Sequence, residues 1–384
     1  MENTPGDQPK RIFTKAHILF GLGFFVLLVL LFLFYPGIFS TTFSYETGKV
    51  AESGISNFLK KLVTPSIPPL DKVAYDQKLS DIANNPPPKV VTPKFDKNGN
   101  EIPAPVVPPK INLWPVKTVY PNAGAILPFN RIIAYYGNLY SKKMGVLGEY
   151  EEAEMFSRLD VEVKKWEAAD PETPVIPALH YIAVVAQASA GADGKYRARM
   201  PSAEIDKVIA MAAKINAIVF LDIQVGFSTL QVEVPLLEKY LKLPNVHLGV
   251  DPEFSMKTGI RPGKVVGTLD AVDINFTTGY LAKLVKENNL TPKILVVHRY
   301  TQKMVTNYKL IKTPPEVQVV MHMDGWGGAA KKIGTYRNFI YPEPVQFTGF
   351  KLFYKNDILT PGTTLMTPTD LLKLNPQPSY IQYQ

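Results

Sequence analysis

The segment Lys293-Ile-Leu-Val-Val-His-Arg299 contains four successive apolar residues with a basic residue at each end. A strand in which polar and apolar residues do not alternate is buried on both faces, as in parallel sheets that are covered by helices. Seven other segments have a similar strand character: 131–136, 176–185, 217–224, 246–254, 265–269, 317–324 and 347–354. Helical segments separate most of these strands, so the chain is predicted to alternate between β and α units.

The number of strands and the length of the domain predict a (β/α)8 barrel of the TIM type, an α/β fold. Eight units in about 250 residues are typical of this barrel, and consecutive parallel strands imply right-handed crossovers. The alternative is an open, doubly wound sheet. The first predicted strand is not followed by a glycine-rich phosphate-binding loop, which disfavours that alternative. We therefore predict that residues 129–384 form a barrel domain.

The composition indicates a large core and argues against several classes of protein. Hydrophobic residues make up 46% of the chain and charged residues 20%, which is typical of a folded domain. The net charge of +8 is dispersed, without a basic stripe among aromatic residues, so no nucleic-acid partner is predicted. The chain has no cysteine, which excludes disulfides, a lipidated cysteine and thiol catalysis.

The N-terminal region contains an apolar segment long enough to cross a membrane. Residues 18–35 are all apolar or glycine, and about 20 such residues span a bilayer as a helix. Three basic residues closely precede the segment and one lies in the fifteen residues after it, so residues 1–16 are predicted to be cytoplasmic. No clean Ala-x-Ala cleavage site follows, which favours an uncleaved signal anchor at 17–39 over a signal peptide. The remainder of the chain is then extracytoplasmic.

Residues 40–128 are predicted to form a proline-rich extracytoplasmic stalk. Fourteen of the 34 prolines lie between Thr64 and Pro128. Such a composition favours an extended, semi-rigid chain. The stalk would therefore raise the barrel above the membrane, at the cell envelope.

Four carboxylates at predicted strand ends are candidates for catalysis. Barrel enzymes form their sites at the carboxyl ends of the strands. In Val246-His-Leu-Gly-Val-Asp-Pro-Glu-Phe254, Asp251 and Glu253 are spaced i and i+2, which places both on one face of a strand. Two carboxylates held close together acquire different pKa values and can supply an acid and a base at one pH. The predicted catalytic residues are Glu253, Asp251, Asp222 and Asp324.

Other polar and aromatic residues near the same strand ends are predicted to bind the substrate. They are Tyr136, Gln187, Gln224, His298, His322, Trp326 and Tyr354. Trp326 lies in a glycine-rich turn, where its ring could stack on a sugar. His180, which is near the start of its predicted strand, is interpreted as a structural residue.

Acid and amide side chains in an extracytoplasmic barrel favour the hydrolysis of a cell-surface or environmental glycan. The sequence contains no His-x-His or His-Glu-x-x-His motif, so no metal or other cofactor is predicted. It also contains no Gly-x-Ser-x-Gly motif for a nucleophilic serine. One alternative is a catalytically silent barrel that binds wall polymer or a protein partner. A weaker alternative is a metal-dependent hydrolase that uses His298, His322 and Asp324.

The segment Asp251-Pro252-Glu253 is similar to the strand-four signature of chitinase-type and muramidase-type glycoside hydrolase barrels. The resemblance implies that Glu253 is the general acid and that Asp251 orients an N-acetyl group or stabilises the ring cation. Chitinase-type enzymes carry further aspartates upstream on this strand, whereas this chain has Val246, Leu248 and Val250 there.

A wider pattern in the chain also looks like uncharacterised bacterial membrane-anchored barrels. The pattern consists of Ile133-Ala-Tyr-Tyr-Gly137, Val297-His-Arg-Tyr300 and Ser379-Tyr-Ile-Gln-Tyr383. This second resemblance implies no activity.

Overall fold

A closed barrel of eight parallel strands forms the centre of the molecule. The computed structural model describes residues 67–87, 94–95, 97, 101–102 and 112–384. The barrel strands are β1 (Arg131–Gly137), β2 (Val175–Ala186), β3 (Ile218–Ile223), β4 (Val246–Val250), β5 (Lys293–Arg299), β6 (Val317–Met323), β7 (Phe347–Leu352) and β8 (Tyr380–Tyr383). Strand β1 pairs with both β8 and β2, which closes the sheet. The predicted α/β barrel is thereby confirmed.

The final barrel strand differs from the sequence prediction. The predicted strand at 265–269 is not part of the barrel, since only Leu269–Asp270 is extended and it pairs with Val305–Thr306 in a separate small sheet. The Gly267 N–H donates to the carbonyl of Glu253, so this segment lies against the loop that follows β4. The short strand β8 takes the remaining place in the barrel.

Helices surround most of the barrel. They are α1 (Lys72–Ala83), α2 (Val146–Glu149), α3 (Glu152–Ala169), α4 (Ser202–Lys214), α5 (Leu230–Glu233), α6 (Glu238–Leu241), α7 (Ala271–Glu287), α8 (Ala329–Thr335) and α9 (Pro368–Leu371). Asp270 begins α7 through a capping box with Asp273. Helices α5 and α6 are separated by a 3₁₀ turn that begins at Pro235, which has no backbone N–H to donate.

The barrel interior is apolar at its lower, amino-terminal end and polar at its upper end. The lower layers contain Ile132, Ala134, Ala178, Phe220, Ile294, Val296, Val320, Phe347 and Tyr380. The upper layer contains Tyr136, His180, Asp222, His298, His322, Lys351 and Gln382, all of them buried. Buried polar groups are costly unless they are paired, so this upper layer indicates where a functional site has been built.

Helix α1 and residues 112–128 contact the lower end of the barrel. Asp71 caps the start of α1, and Tyr75 of this helix packs against the lower interior residues together with Leu127. The side chain of Gln318 accepts from the Leu127 N–H and donates to its carbonyl. These segments lie inside the range predicted for the stalk, and the described part of that range therefore includes ordered contacts with the barrel.

The predicted membrane anchor at 17–39 and cytoplasmic segment at 1–16 lie outside the described residues. Among the helices that the structure does describe, none has the length and apolar character needed to span a bilayer. Within the predicted stalk, Lys94–Phe95 pairs antiparallel with Glu101–Ile102.

Candidate active site

A cleft of about 630 Å³ opens at the carboxyl-terminal end of the barrel. Its polar and aromatic lining includes Tyr136, Gln224, Asp251, Glu253, Tyr300, Asp324, Trp326 and Lys351. TIM-type barrels carry their active sites at this end, and pockets for small ligands have volumes of roughly 300–1,000 Å³. The cleft is therefore the candidate active site.

Asp251 and Glu253 both line the cleft, but they are not two residues of one strand. Strand β4 ends at Val250, and Pro252–Phe254 form a single 3₁₀ turn. The Asp251 carboxylate caps this turn by accepting the backbone N–H of Glu253 at 3.0 Å. The capped turn, and not strand alternation, brings the two side chains to the same cleft.

The environment of Glu253 favours the protonated form of its carboxyl. Burial raises the pKa of Glu253 and Asp324 raises it further, while Tyr300, Lys351 and His298 lower the pKa to a smaller extent. Asp251 is 3% exposed, and burial raises its pKa well above the usual value. A carboxyl with a raised pKa keeps its proton closer to neutral pH, as a general acid requires.

Asp324 lines the same cleft and is held there as an anion. Its Oδ1 lies 2.9 Å from Lys351 Nζ and its Oδ2 lies 2.8 Å from His298 Nδ1. Burial raises the pKa of Asp324, but Lys351 and His298 outweigh burial and hold the pKa well below its usual range. Lys351 Nζ also lies 3.8 Å from the centre of the Tyr136 ring, which is a cation–π contact.

The predicted site residues occupy three different places. Six of the eleven line the cleft: Tyr136, Gln224, Asp251, Glu253, Asp324 and Trp326. Three lie one layer below it and are fully buried: Asp222, His298 and His322. The remaining two do not line the cleft. Gln187 follows the end of β2, and Tyr354 bonds to Tyr135 beside α3.

Several residues of the cleft were not among the predicted site residues, and three of these contact residues that were predicted. Lys351 is a charged residue inside the otherwise apolar strand β7, and a buried lysine needs a charged or polar partner, so this signal was present in the sequence. Tyr300 directly follows β5 and lies within hydrogen-bonding reach of Glu253. Lys331 reaches the cleft from α8, with Nζ 4.5 Å from the Trp326 ring centre, and no sequence pattern indicates this contact.

Arg299 does not pair with the carboxyl groups of the cleft, and Trp326 does not close the cleft. Arg299 is buried and pairs with Glu343 at 2.5 Å, while it also donates to the carbonyls of Thr301 and Gln302. Trp326 is 50% exposed at the cleft wall. Glu253 therefore does not form an ion pair with Arg299.

Below the cleft, His298 lies between Asp222 and the cleft residue Asp324, with one ring nitrogen near each carboxylate. Burial lowers the pKa of His298, but Asp222 and Asp324 outweigh it and raise the pKa above its usual value. Burial raises the pKa of Asp222, but His298 and His180 outweigh it and lower the pKa to about 2. Two sets of side chains here place donor atoms within 4.8 Å of one another, which is close enough to hold a metal ion: His180, Asp222 and His298, and His298, His322 and Asp324.

No protein-family model matches this chain, and a search of curated proteins finds no similar sequence. The likeness of Asp251-Pro252-Glu253 to glycoside hydrolases is therefore a likeness of three residues within a barrel fold.

Proposed function

We propose that this barrel hydrolyses glycosidic bonds of a cell-surface or environmental glycan, with Glu253 as the general acid. The observation that carries the proposal is one open cleft that contains Glu253 together with an Asp324 carboxylate held by Lys351 and His298. Most glycoside hydrolases use such a pair of carboxyl groups on either side of the bond that is cut.

In the proposed reaction, the Glu253 proton passes to the leaving oxygen as its bond to the anomeric carbon breaks. The Asp324 carboxylate stabilises the positive charge that develops on the sugar ring. Water supplies the hydroxyl group that the anomeric carbon gains, and its remaining proton returns to a carboxylate. Asp251 acts as a positioning residue, since its carboxylate caps the turn that carries Glu253. Asp222 lies a layer below the cleft and is not assigned to this step.

The cellular location is a further part of the proposal. The apolar segment at 17–39 would hold the chain at the membrane as a single helix, with residues 1–16 in the cytoplasm and the barrel outside. Protease added to intact cells should then digest the barrel and spare a tag placed at the N-terminus. Digestion of the tag, or full protection of the barrel, would contradict this orientation.

The activity is tested with the full-length chain and a panel of peptidoglycan and polysaccharide substrates. We expect one class of glycan to release new reducing ends. Tight binding of a glycan without the release of reducing ends would favour the silent barrel that binds wall polymer. No reducing ends from any substrate would remove the hydrolase proposal.

The pH dependence of the activity should report the raised pKa of Glu253. An acid catalyst works while it is protonated, so kcat/KM should fall as pH rises through this pKa, with a midpoint above the ordinary glutamate value of about 4.3. The charged groups that face Glu253 are Asp324 and Asp251, which oppose its ionisation, and Lys351 and His298, which favour it. A midpoint at or below about 4.3 would contradict the assignment.

Replacement of Tyr300 with phenylalanine provides a specific check on that pH profile. The Tyr300 hydroxyl lowers the pKa of Glu253, so its removal should move the basic limb of the profile to higher pH. An unchanged limb in a folded variant would show that a different group controls the profile.

Trp326 is expected to contribute to substrate binding more than to catalysis. Its half-exposed ring can stack on a sugar, and aromatic contacts are worth roughly 0.5–1.5 kcal/mol beyond the area that they bury. The Trp326→Ala variant should therefore raise KM by about 2- to 10-fold with little change in kcat. Trp326→Phe should restore part of the loss. A variant in which only kcat falls would argue against stacking.

A further inference from the structure

Three fully buried side chains below the cleft direct donor atoms toward a common point. His180 Nε2 lies 3.5 Å from Asp222 Oδ1, and His298 Nε2 lies 3.6 Å from the same oxygen. Within the described part of the chain, none of these three atoms has a hydrogen-bond partner. We propose that this layer of the barrel binds a divalent transition-metal ion of the zinc class through His180, Asp222 and His298.

The separations between the donor atoms fit metal ligands better than hydrogen bonds. Hydrogen bonds between nitrogen and oxygen have lengths of about 2.7–3.2 Å, and both separations exceed this range. Ligands of a tetrahedral zinc ion each lie about 2.1 Å from the metal, so they are about 3.4 Å apart. An ion between the three atoms would satisfy all of them at once.

Each of the three side chains is also oriented by a second contact. His180 Nδ1 lies 2.6 Å from the Tyr380 hydroxyl, and His298 Nδ1 lies 2.8 Å from Asp324 Oδ2. Asp222 Oδ2 accepts a hydrogen bond from Tyr136 at 3.0 Å. In metal sites a ligating histidine presents one ring nitrogen to the ion and bonds through the other to an oxygen, which sets its tautomer and its orientation. Both histidines have this arrangement here.

Gly249 leaves the space that such an ion requires. A Cβ atom at this position of β4 would lie 2.5 Å from both Asp222 Oδ1 and His180 Nε2. Any residue other than glycine would therefore crowd two of the three donor atoms. This is a reason for glycine in the middle of a buried strand, where it otherwise weakens the sheet.

The neighbouring set of His298, His322 and Asp324 is a poorer site. Asp324 Oδ1 already contacts the Lys351 ammonium at 2.9 Å, so an ion at this carboxylate would lie close to a positive charge. The Nδ1 atom of His298 and Oδ2 of Asp324 are joined by a hydrogen bond.

Three protein ligands leave one position of a tetrahedral ion open, as in zinc sites that bind water or a substrate atom. Two of the orienting side chains, Tyr136 and Asp324, also line the cleft. The ion would thus lie directly beneath the floor of the candidate active site. The metal site and the glycan hydrolysis are separate proposals, because metal binding is measured without a glycan.

The test uses the full-length chain, treated with a chelator and then titrated with Zn²⁺ or Co²⁺. We expect one ion per chain by elemental analysis, and an intense visible Co²⁺ spectrum of the tetrahedral type. A folded wild-type chain that binds neither ion, or binds Co²⁺ with only the weak spectrum of octahedral coordination, overturns the proposal. This measurement needs no variant, so it remains decisive if substitutions in the barrel impair folding.

Substitutions then assign the ligands. His180→Asn and Gly249→Ala should each weaken Co²⁺ binding by more than about 100-fold, and Tyr380→Phe, which removes an orienting hydroxyl, by about 10- to 100-fold. His247→Asn is the matched control, since His247 is equally buried but its Nδ1 accepts the Ile294 N–H. Binding that survives His180→Asn and Gly249→Ala in folded protein also overturns the proposal.

Discussion

Replacing Glu253 with glutamine is expected to lower kcat for glycan hydrolysis by about 10²–10⁴-fold, the usual contribution of a general acid. Glutamine keeps the size and hydrogen-bonding capacity of the side chain but has no proton to give to the leaving oxygen. Because the Asp251 carboxylate bonds to the backbone of residue 253, the capped turn should survive the substitution. The measurement is the rate of reducing-end release on the substrate found in the screen, with glycan binding measured in parallel.

Glu287→Gln serves as the matched control for Glu253→Gln. Glu287 is an exposed glutamate at the end of α7, and it does not line the cleft. The control should hydrolyse glycan at the wild-type rate. Equal activity of Glu253→Gln and Glu287→Gln would remove Glu253 from the mechanism, even if the cleft still bound the substrate.

Replacing Lys351 with methionine is expected to lower the free energy of unfolding by about 3–5 kcal/mol. Lys351 is 3% exposed, and its ammonium is 2.9 Å from the buried carboxylate of Asp324. Methionine fills a similar volume but leaves that carboxylate without its cationic partner, which is the costly way to break a buried ion pair. It also removes the cation–π contact with Tyr136. Urea denaturation of the full-length chain measures the change.

Lys355→Met is the control for the Lys351 substitution. Lys355 follows the same strand and pairs with Glu149, but its side chain is 70% exposed. Surface pairs of this kind contribute about 0–1 kcal/mol, so this variant should have nearly wild-type stability. The double variant Lys351→Met/Asp324→Asn should recover part of the loss, because the unpaired charge is gone. If both lysine variants had the same stability, Lys351 would not hold a buried anion in place.

The strands of the barrel were predictable because parallel strands are marked by a local property of the sequence. Residues 294–297 are apolar without alternation, and the other internal strands have similar runs, so burial on both faces can be recognised without a structure. Strand β8 has only four residues, Tyr380–Tyr383. The apolar residues at 265–269 instead predict a strand that is not part of the barrel. Val265 and Val266 are exposed in the fold, which shows that short apolar runs do not identify a strand by themselves.

The sequence indicates at which end of its strand each functional residue lies. It does not indicate how far below the cleft the side chain lies in the barrel. Asp222 and Asp324 both follow apolar runs, yet only Asp324 lines the cleft, while Asp222 lies in the layer beneath. The depth of a side chain depends on the stagger between neighbouring strands, which is a property of the closed barrel. Glu253 reached the cleft through a capped turn after β4 and not through the strand periodicity that had pointed to it.

The sequence by itself determined the α/β class, seven of the eight barrel strands, and the end of the barrel at which polar side chains collect. These properties follow from hydrophobic patterns within a few residues of one another. Only the tertiary structure decided which polar side chains meet: Lys351 with Asp324, Glu253 with Tyr300, and His180 with Asp222 and His298. Closure of the barrel brings residues from separate strands within a few ångströms, and pKa values and metal-ligand geometry depend on those distances.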